Sequence, residues 1–266
     1  MFVFEICNLS AGYGSNTVVQ QISLTLDKGS FSILVGPNGS GKTTLLKVMS
    51  NLLRPTIGEV ILEGSSIAAF SPKELAKRIA ILPQIRNTPD FVAETLVAQG
   101  RYPHRGYFER LNEGDHKAIE KALELSDITH LRKRHLSSLS GGERQRVYLA
   151  MLLAQDTPIM LLDEPTTYLD MAQQLEILDL LSSLCERGKT IFAILHDIPL
   201  ALRYADIIYL LRDGKLYGCG SPTEILQQGV LEETFDVTLH HFHAEGEFFT
   251  GFSKRKNNRM LTQGIR

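Results

Sequence analysis

The chain has 266 residues, 43% of them hydrophobic, which is enough to bury a substantial core in one large domain or in a core with a subdomain. Its formal net charge of −2 excludes a nucleic-acid binder that works by overall positive charge, and three scattered cysteines, Cys7, Cys185 and Cys219, exclude a disulfide framework or a paired-cysteine metal site, so reduced thiols in a cytosolic compartment are expected. No apolar run approaches the roughly 18 residues needed to cross a bilayer, and Met1–Glu5 lacks the basic start of a signal peptide, so work at a membrane would need another anchor.

In chain order, Phe2–Cys7 and Ile22–Leu26 read as β segments separated by a glycine-rich turn, Ala11–Gly14. Tyr13, between two glycines of that turn, is sterically free to stack on a nucleobase. Asp27–Gly29 turns into a short apolar strand, Phe31–Val35. Then Gly36-Pro37-Asn38-Gly39-Ser40-Gly41-Lys42-Thr43-Thr44 fits the phosphate-binding pattern G-x-x-x-x-G-K-[ST], and Leu45–Leu53 carries apolar residues at helical spacing. Strand, glycine loop and helix together turn a pattern into a physical claim. Backbone N–H groups curl round phosphates and the helix N-terminus adds partial positive charge. Lys42 is placed for the β- and γ-phosphates, and the Thr43 hydroxyl for Mg²⁺.

A strand at Glu59–Glu63 and a helix at Pro72–Arg78 precede a second apolar run, Ile79–Leu82, which ends in Pro83 and Gln84. The same design recurs where Ile159–Leu162 ends in Asp163 and Glu164, and where Ile191–Leu195 ends in His196 and Asp197. Near-continuous apolar runs of this length suit a parallel sheet covered on both faces, and ligands of open α/β sheets bind outside the carboxyl ends of the strands. Four strand ends therefore converge on one nucleotide. Asp163 is suited to hold Mg²⁺ through water, Glu164 to orient or deprotonate an attacking water, Gln84 to complete the metal and water shell, and His196 to hydrogen-bond the γ-phosphate.

Residues 86–157 depart from this rhythm and read as an inserted helical subdomain. Ala93–Gln99 and Asp115–Leu125 have helical spacing, with Ala118, Ile119, Ala122 and Leu123 on one face. Leu139-Ser140-Gly141-Gly142-Glu143 opens a further helix. Ser140 and Glu143 stand in capping-box relation, and the two glycines leave backbone N–H groups approachable by an anion.

Those five residues resemble the signature motif of ATP-binding cassette (ABC) proteins, and the rest of the set then falls into place. Tyr13 resembles the base-stacking aromatic, residues 36–44 Walker A, Gln84 the Q-loop, Asp163 and Glu164 the Walker B pair, Leu169-Asp170 the D-loop and His196 the switch histidine. The resemblance covers about residues 1–230. It implies an α/β P-loop NTPase (RecA-like) core with an antiparallel β subdomain (1–85 and 158–230), an inserted helical subdomain (86–157) and a C-terminal extension (231–266). It also implies ATP and Mg²⁺, hydrolysis by Glu164 with Gln84 and His196, and a homodimer. In such a dimer each copy's phosphate loop meets the partner's Ser140–Glu143, and Asp170 is expected among the nucleotide-binding residues.

Gln99-Gly100-Arg101-Tyr102-Pro103-His104 and Asp163–Asp170 further resemble bacterial importers of ferric siderophores, haem and cobalamin, with Pro199 a departure that affects only a helix start. Expected partners are two transmembrane permease subunits and, indirectly, an extracytoplasmic substrate-binding protein, at the cytoplasmic face of the inner membrane; no nucleic acid is expected. The alternatives are a soluble ABC ATPase acting on ribosomes or DNA, or an importer of zinc, manganese or phosphonate. Single-chain tandem cassettes and long coiled-coil insertions, usual in the soluble members, are not found in this sequence.

Towards the C-terminus, Ile207–Leu211, the turn Asp213-Gly214 and Lys215–Cys219 read as a hairpin, and Ser221–Glu224 as a capping box with proline at the first helical position. His240, His241 and His243, near Glu245 and Glu247, read as a solvated tract rather than a metal cluster. Lys254–Arg266 carries five basic and no acidic residues and reads as a frayed end.

Overall fold

The computed structural model describes residues 2–84, 90–106, 109–244 and 247–255; the side chains of His241 and of 243–249 fall outside that description. In chain order β1 (Phe2–Tyr13) and β2 (Asn16–Asp27) lead into β3 (Phe31–Val35) and α1 (Lys42–Met49). Next come β4 (Ile57–Leu62), β5 (Ser65–Ser66), α2 (Pro72–Ala76) and β6 (Ile79–Leu82), then α3 (Ala93–Gln99), α4 (Glu113–Leu125) and α5 (Gly141–Gln155). The chain returns to β7 (Ile159–Asp163), α6 (Met171–Glu186), β8 (Thr190–Ile194), α7 (Ile198–Tyr204), β9 (Ile207–Arg212) and β10 (Lys215–Gly220). It closes with α8 (Pro222–Gln228), α9 (Val230–Phe235), β11 (Val237–Ala244) and β12 (Glu247–Lys254).

The apolar runs lie parallel in the order β9-β3-β8-β7-β6, with β10 antiparallel on the β9 edge. β3, β7 and β8 are buried at every position. Period-two alternation divides their side chains between two cores. Met160, Leu162, Ile191 and Ala193 pack with residues of α5 and α6, whereas Ile159, Leu161, Phe192 and Ile194 pack with α1 and the antiparallel sheet β2-β1-β4-β5. Each of these fully buried side chains larger than alanine contributes about 1.5–3 kcal/mol. Because the strands are parallel and in register, their carboxyl ends emerge along one edge, and this edge carries Gly36, Gln84, Asp163, Glu164 and His196.

The first turn differs from the expectation. β1 and β2 pair out to Tyr13↔Asn16, so the turn is Gly14-Ser15 and Ala11–Tyr13 belong to the strand. Register shifts between Ile6 and Gly12, with Asn8 at φ 46° and Gln21 at φ 52°, break the polar–apolar alternation that would have announced a strand this long. Among the described residues between 90 and 157 the only β pairing is an isolated bridge, Val92↔His135. The helices there are tied by Arg132, whose guanidinium donates to Glu94 Oε1 and Glu120 Oε1, each at 2.6 Å. Beyond Val230 the structure departs from the sequence reading again. β11 and β12 form an antiparallel hairpin in unbroken register from Val237↔Lys254 to Ala244↔Glu247, so Lys254 is held in a strand; residues 256–266 lie outside the described residues.

Candidate active site

At the end of β3 the chain turns through Gly36–Gly41 into α1. Gly41 caps the helix at φ +102°, and a Cβ there would stand 2.7 Å from Val19 Cγ1, so the position requires glycine on both conformational and steric grounds. No side chain caps α1, which leaves its first N–H groups to an anion. Lys42 is buried, and its ammonium donates to the carbonyls of Gly36 (2.8 Å) and Pro37 (2.9 Å). Burial lowers its pKa, while the charges of Glu164 and Asp163 pull it back up.

A cleft of about 520 Å³ opens over this loop, lined by Val18, Asn38, Gly39 and residues 41–44 on one side and by Gln84, Glu164 and His196 on the other. That volume lies within the usual range of small-ligand sites. Two strand-end residues and one turn residue meet on the carboxylate of Glu164. Gln84 Nε2 donates to Glu164 Oε1 at 2.6 Å, His196 Nε2 lies 2.6 Å from the same oxygen, and the Thr167 hydroxyl donates to Glu164 Oε2 at 3.0 Å.

Asp163, at the end of β7, is fully buried, and among the described residues neither of its carboxylate oxygens makes a well-formed hydrogen bond, although the Thr43 hydroxyl lies nearby. Burial raises its pKa against the pull of the Thr43 hydroxyl and the Lys42 charge, and the charge of Glu164 acts in the same sense as burial. Orphaned buried oxygens of this kind require an explanation. A carboxylate beside the Thr43 hydroxyl, with the Gln84 amide across the cleft, is a hard oxygen set suited to Mg²⁺.

The remaining predicted residues lie elsewhere. Ser40 and Gly36 are buried in the loop, with Gly214 N donating to the Ser40 carbonyl at 3.1 Å. Tyr13 is half exposed and does not line the cleft; its ring lies 5.6 Å from the Lys47 ammonium, which also donates to its hydroxyl at 3.2 Å. Ser140 caps α5 as predicted: its hydroxyl accepts from Glu143 N, and Glu143 Oε2 accepts from Ser140 N at 2.7 Å. The Ser140 backbone N–H and the Ser140 hydroxyl hold the Glu143 carboxyl below its ordinary pKa. Gly141 and Gly142 pack closely under Tyr168, Leu169 and Gln173, so the glycines admit the neighbouring loop as well as baring the helix tip. Asp170 caps α6 by accepting from Gln173 N at 2.9 Å. None of Ser140–Glu143 or Asp170 reaches the cleft. Sequence reasoning missed Val18, Gln145 and Thr167; the last had a local signal, a hydroxyl three residues beyond Glu164 in a turn.

The sequence profile of the ABC transporter family matches residues 19–167. The ferric enterobactin transport ATP-binding protein FepC of Escherichia coli K12 is 45% identical over 231 residues, covering 86% of this chain and 85% of that protein. The iron(3+)-hydroxamate import ATP-binding protein FhuC of Bacillus subtilis is 42% identical over 231 residues, covering 86% of each. Among solved structures, a metal-chelate type ABC transporter in an inward-facing conformation superposes with a TM-score of 0.83 at 28% identity, covering 98% of this chain and 100% of that one. The dimeric bacterial ABC transporter cassette MJ0796 superposes with a TM-score of 0.74 at 29% identity, covering 82% and 98%. On the phosphate loop, the converging strand ends and these relationships together, the chain belongs to the ABC transporter family as one of its ATP-binding proteins.

Proposed function

We propose that the protein is the ATP-hydrolysing subunit of an importer for ferric siderophores, the substrate class named for relatives such as FepC and FhuC. The observation that carries the catalytic part is the convergence of Gln84, His196 and Thr167 on the Glu164 carboxylate across from the phosphate loop. The loop N–H groups and Lys42 bind the phosphates. Thr43, Asp163 and Gln84 would hold Mg²⁺, which would neutralise phosphate charge. Glu164 accepts a proton from the attacking water while Gln84 and His196 fix its orientation, and His196 stabilises charge shifting onto the γ-phosphate. Tyr13 supplies a stacking face for the base.

Ser140–Glu143 and Asp170 lie outside the cleft of their own chain, and this supports an arrangement in which they complete the nucleotide site of a second copy. No described helix is long and apolar enough to cross a membrane. In this reading, which the importer ATP-binding relatives support, energy transfer runs through separate permease subunits at the cytoplasmic face of the inner membrane, with an extracytoplasmic binding protein supplying the substrate. The test is uptake of a ⁵⁵Fe-labelled siderophore by proteoliposomes containing this protein and the permeases encoded beside it. ATP-dependent uptake is expected. ATP hydrolysis without uptake of any ferric siderophore would remove the substrate assignment and leave the ATPase.

A further inference from the structure

The backbone that carries Glu164 is strained. Glu164 sits at φ +53°, in the left-handed region, and Tyr168 four residues on sits at φ +69°. Strained residues persist only where their surroundings over-determine them. Here the main chain is held from three sides. Glu164 N donates to the Ile194 carbonyl at 3.2 Å, Thr167 N donates to the Glu164 carbonyl at 3.3 Å, and the buried amide of Gln145, on α5, donates to the Pro165 carbonyl at 2.5 Å and the Glu164 carbonyl at 3.4 Å. With the backbone fixed, the side chain still has its own rotamers. One carboxylate oxygen, Oε1, is taken by Gln84 and His196, both of which face the cleft. The other, Oε2, is taken by Thr167 from the protein side.

Gln84 and His196 also have tasks towards nucleotide and metal. Among the described residues Thr167 does not line the cleft, and the hydrogen bond its hydroxyl donates goes to the carboxylate. We propose that Thr167 is a positioning residue for hydrolysis: its hydroxyl locks the Glu164 carboxylate in the orientation that presents Oε1 to the attacking water, on a turn braced from α5 by Gln145. This deepens the proposed function and rests on Glu164 acting as the base. A carboxylate free to rotate spends much of its time misaligned, and loss of alignment lowers the rate of the chemical step without weakening substrate binding. Since Ser140 caps α5, the brace also ties the signature tip of a copy to that copy's own base.

The test compares Thr167→Val, which keeps shape and removes the hydroxyl, with Thr167→Ser, which keeps the hydroxyl. Thr167→Val is expected to lower kcat about tenfold with KM for ATP within about twofold of wild type, and Thr167→Ser to restore most of the rate. In a Glu164→Gln background, the same Thr167→Val change is expected to leave the residual turnover unaltered, because it acts through the carboxylate that is gone. A wild-type kcat in Thr167→Val, equal losses in the Val and Ser variants, or a tenfold loss that persists in the Glu164→Gln background would each overturn the positioning role. If Glu164→Gln itself hydrolyses ATP at the wild-type rate, the catalytic reading fails and this inference with it. If Glu164→Gln is inactive while Thr167→Val is normal, only this inference fails.

Discussion

Glu164 accepts hydrogen bonds from Gln84 and Thr167 and contacts His196, yet its side chain remains within reach of water in the cleft. Replacing it by glutamine keeps size and most contacts but removes the proton acceptor. Glu164→Gln is expected to lower steady-state ATP hydrolysis by about 10²–10⁴-fold, the usual worth of a positioned general base, with nucleotide affinity nearly unchanged. The checks are a coupled-enzyme rate assay and nucleotide binding by fluorescence, together with the accumulation of an ATP-bound dimer on size exclusion; turnover near wild type would take Glu164 out of the reaction. Much at this scale was legible beforehand because the loop pattern and the polar ends of buried strands are local in sequence. Thr167 and Gln145 were missed for different reasons. Thr167 lies only three residues beyond Glu164, a local signal that was passed over. Gln145 matters because of where α5 crosses the turn after β7, and nothing in the spacing of those segments encodes that crossing.

Among the elements, the segment that singled out the importer subtype proves to be a clamp on the C-terminus of α5. A Cβ on Gly100 would stand 2.2 Å from the Met151 carbonyl, so α3 ends in close contact with α5. Arg101 donates to the Ala154 carbonyl at 2.7 Å, and His104 Nε2 lies 2.7 Å from the Gln155 carbonyl, so two of the last carbonyls of α5 find partners. Arg101 also pairs with Asp115 at 2.9 Å; Asp115, side chain 2% exposed, closes the capping box of α4 with Asn112. Burial works to raise the pKa of Asp115, but the Arg101 guanidinium and the Asn112 N–H prevail and hold it below the ordinary value.

Removing one partner of such a buried pair costs about 3 kcal/mol, so Asp115→Asn is expected to destabilise the fold by that amount at neutral pH. A group whose folded pKa is depressed contributes stability that is present above its unfolded pKa, about 3.9 for Asp, and lost as pH falls through the folded value. The gap between wild type and Asp115→Asn in urea unfolding is therefore expected to be constant above about pH 5 and to close below about pH 4. A gap that widens on acidification would reverse this assignment. Helix starts at Ser140 and Ser221 were readable because caps are contiguous motifs. The β11–β12 hairpin was not, because a run of polar histidines hides its alternation and its stability comes from pairing with a strand further on.

For the whole molecule, the proposed mechanism turns on one geometric fact: the phosphate loop with Glu164 and the Ser140 helix tip are separate surfaces of one chain. The cleft gathers the phosphate loop and Glu164, while Ser140 stands exposed at the tip of α5, outside it. A two-fold pairing of copies would set the Ser140 tip of each against the nucleotide of the other. Ser140→Arg is then expected to abolish hydrolysis while leaving ATP binding to the monomer at wild-type strength, because the arginine blocks only the site that another copy owns. The sharper consequence concerns mixtures. In a dimer of one Ser140→Arg copy and one Glu164→Gln copy, both defects fall on the nucleotide held by the Glu164→Gln chain, and the other site keeps an intact base and an intact signature tip. Two variants that are each inactive, mixed in equal amounts before ATP is added, are therefore expected to recover about a quarter of the wild-type rate if the sites fire independently, since half the dimers are mixed and each has one whole site. Recovery should rise and fall with the mixing ratio in the manner of a pairwise product. A mixture as inactive as its components would mean either that hydrolysis demands two whole sites or that Ser140 serves its own chain, and the monomer binding of Ser140→Arg decides between these, because only the second predicts that ATP binding is weakened.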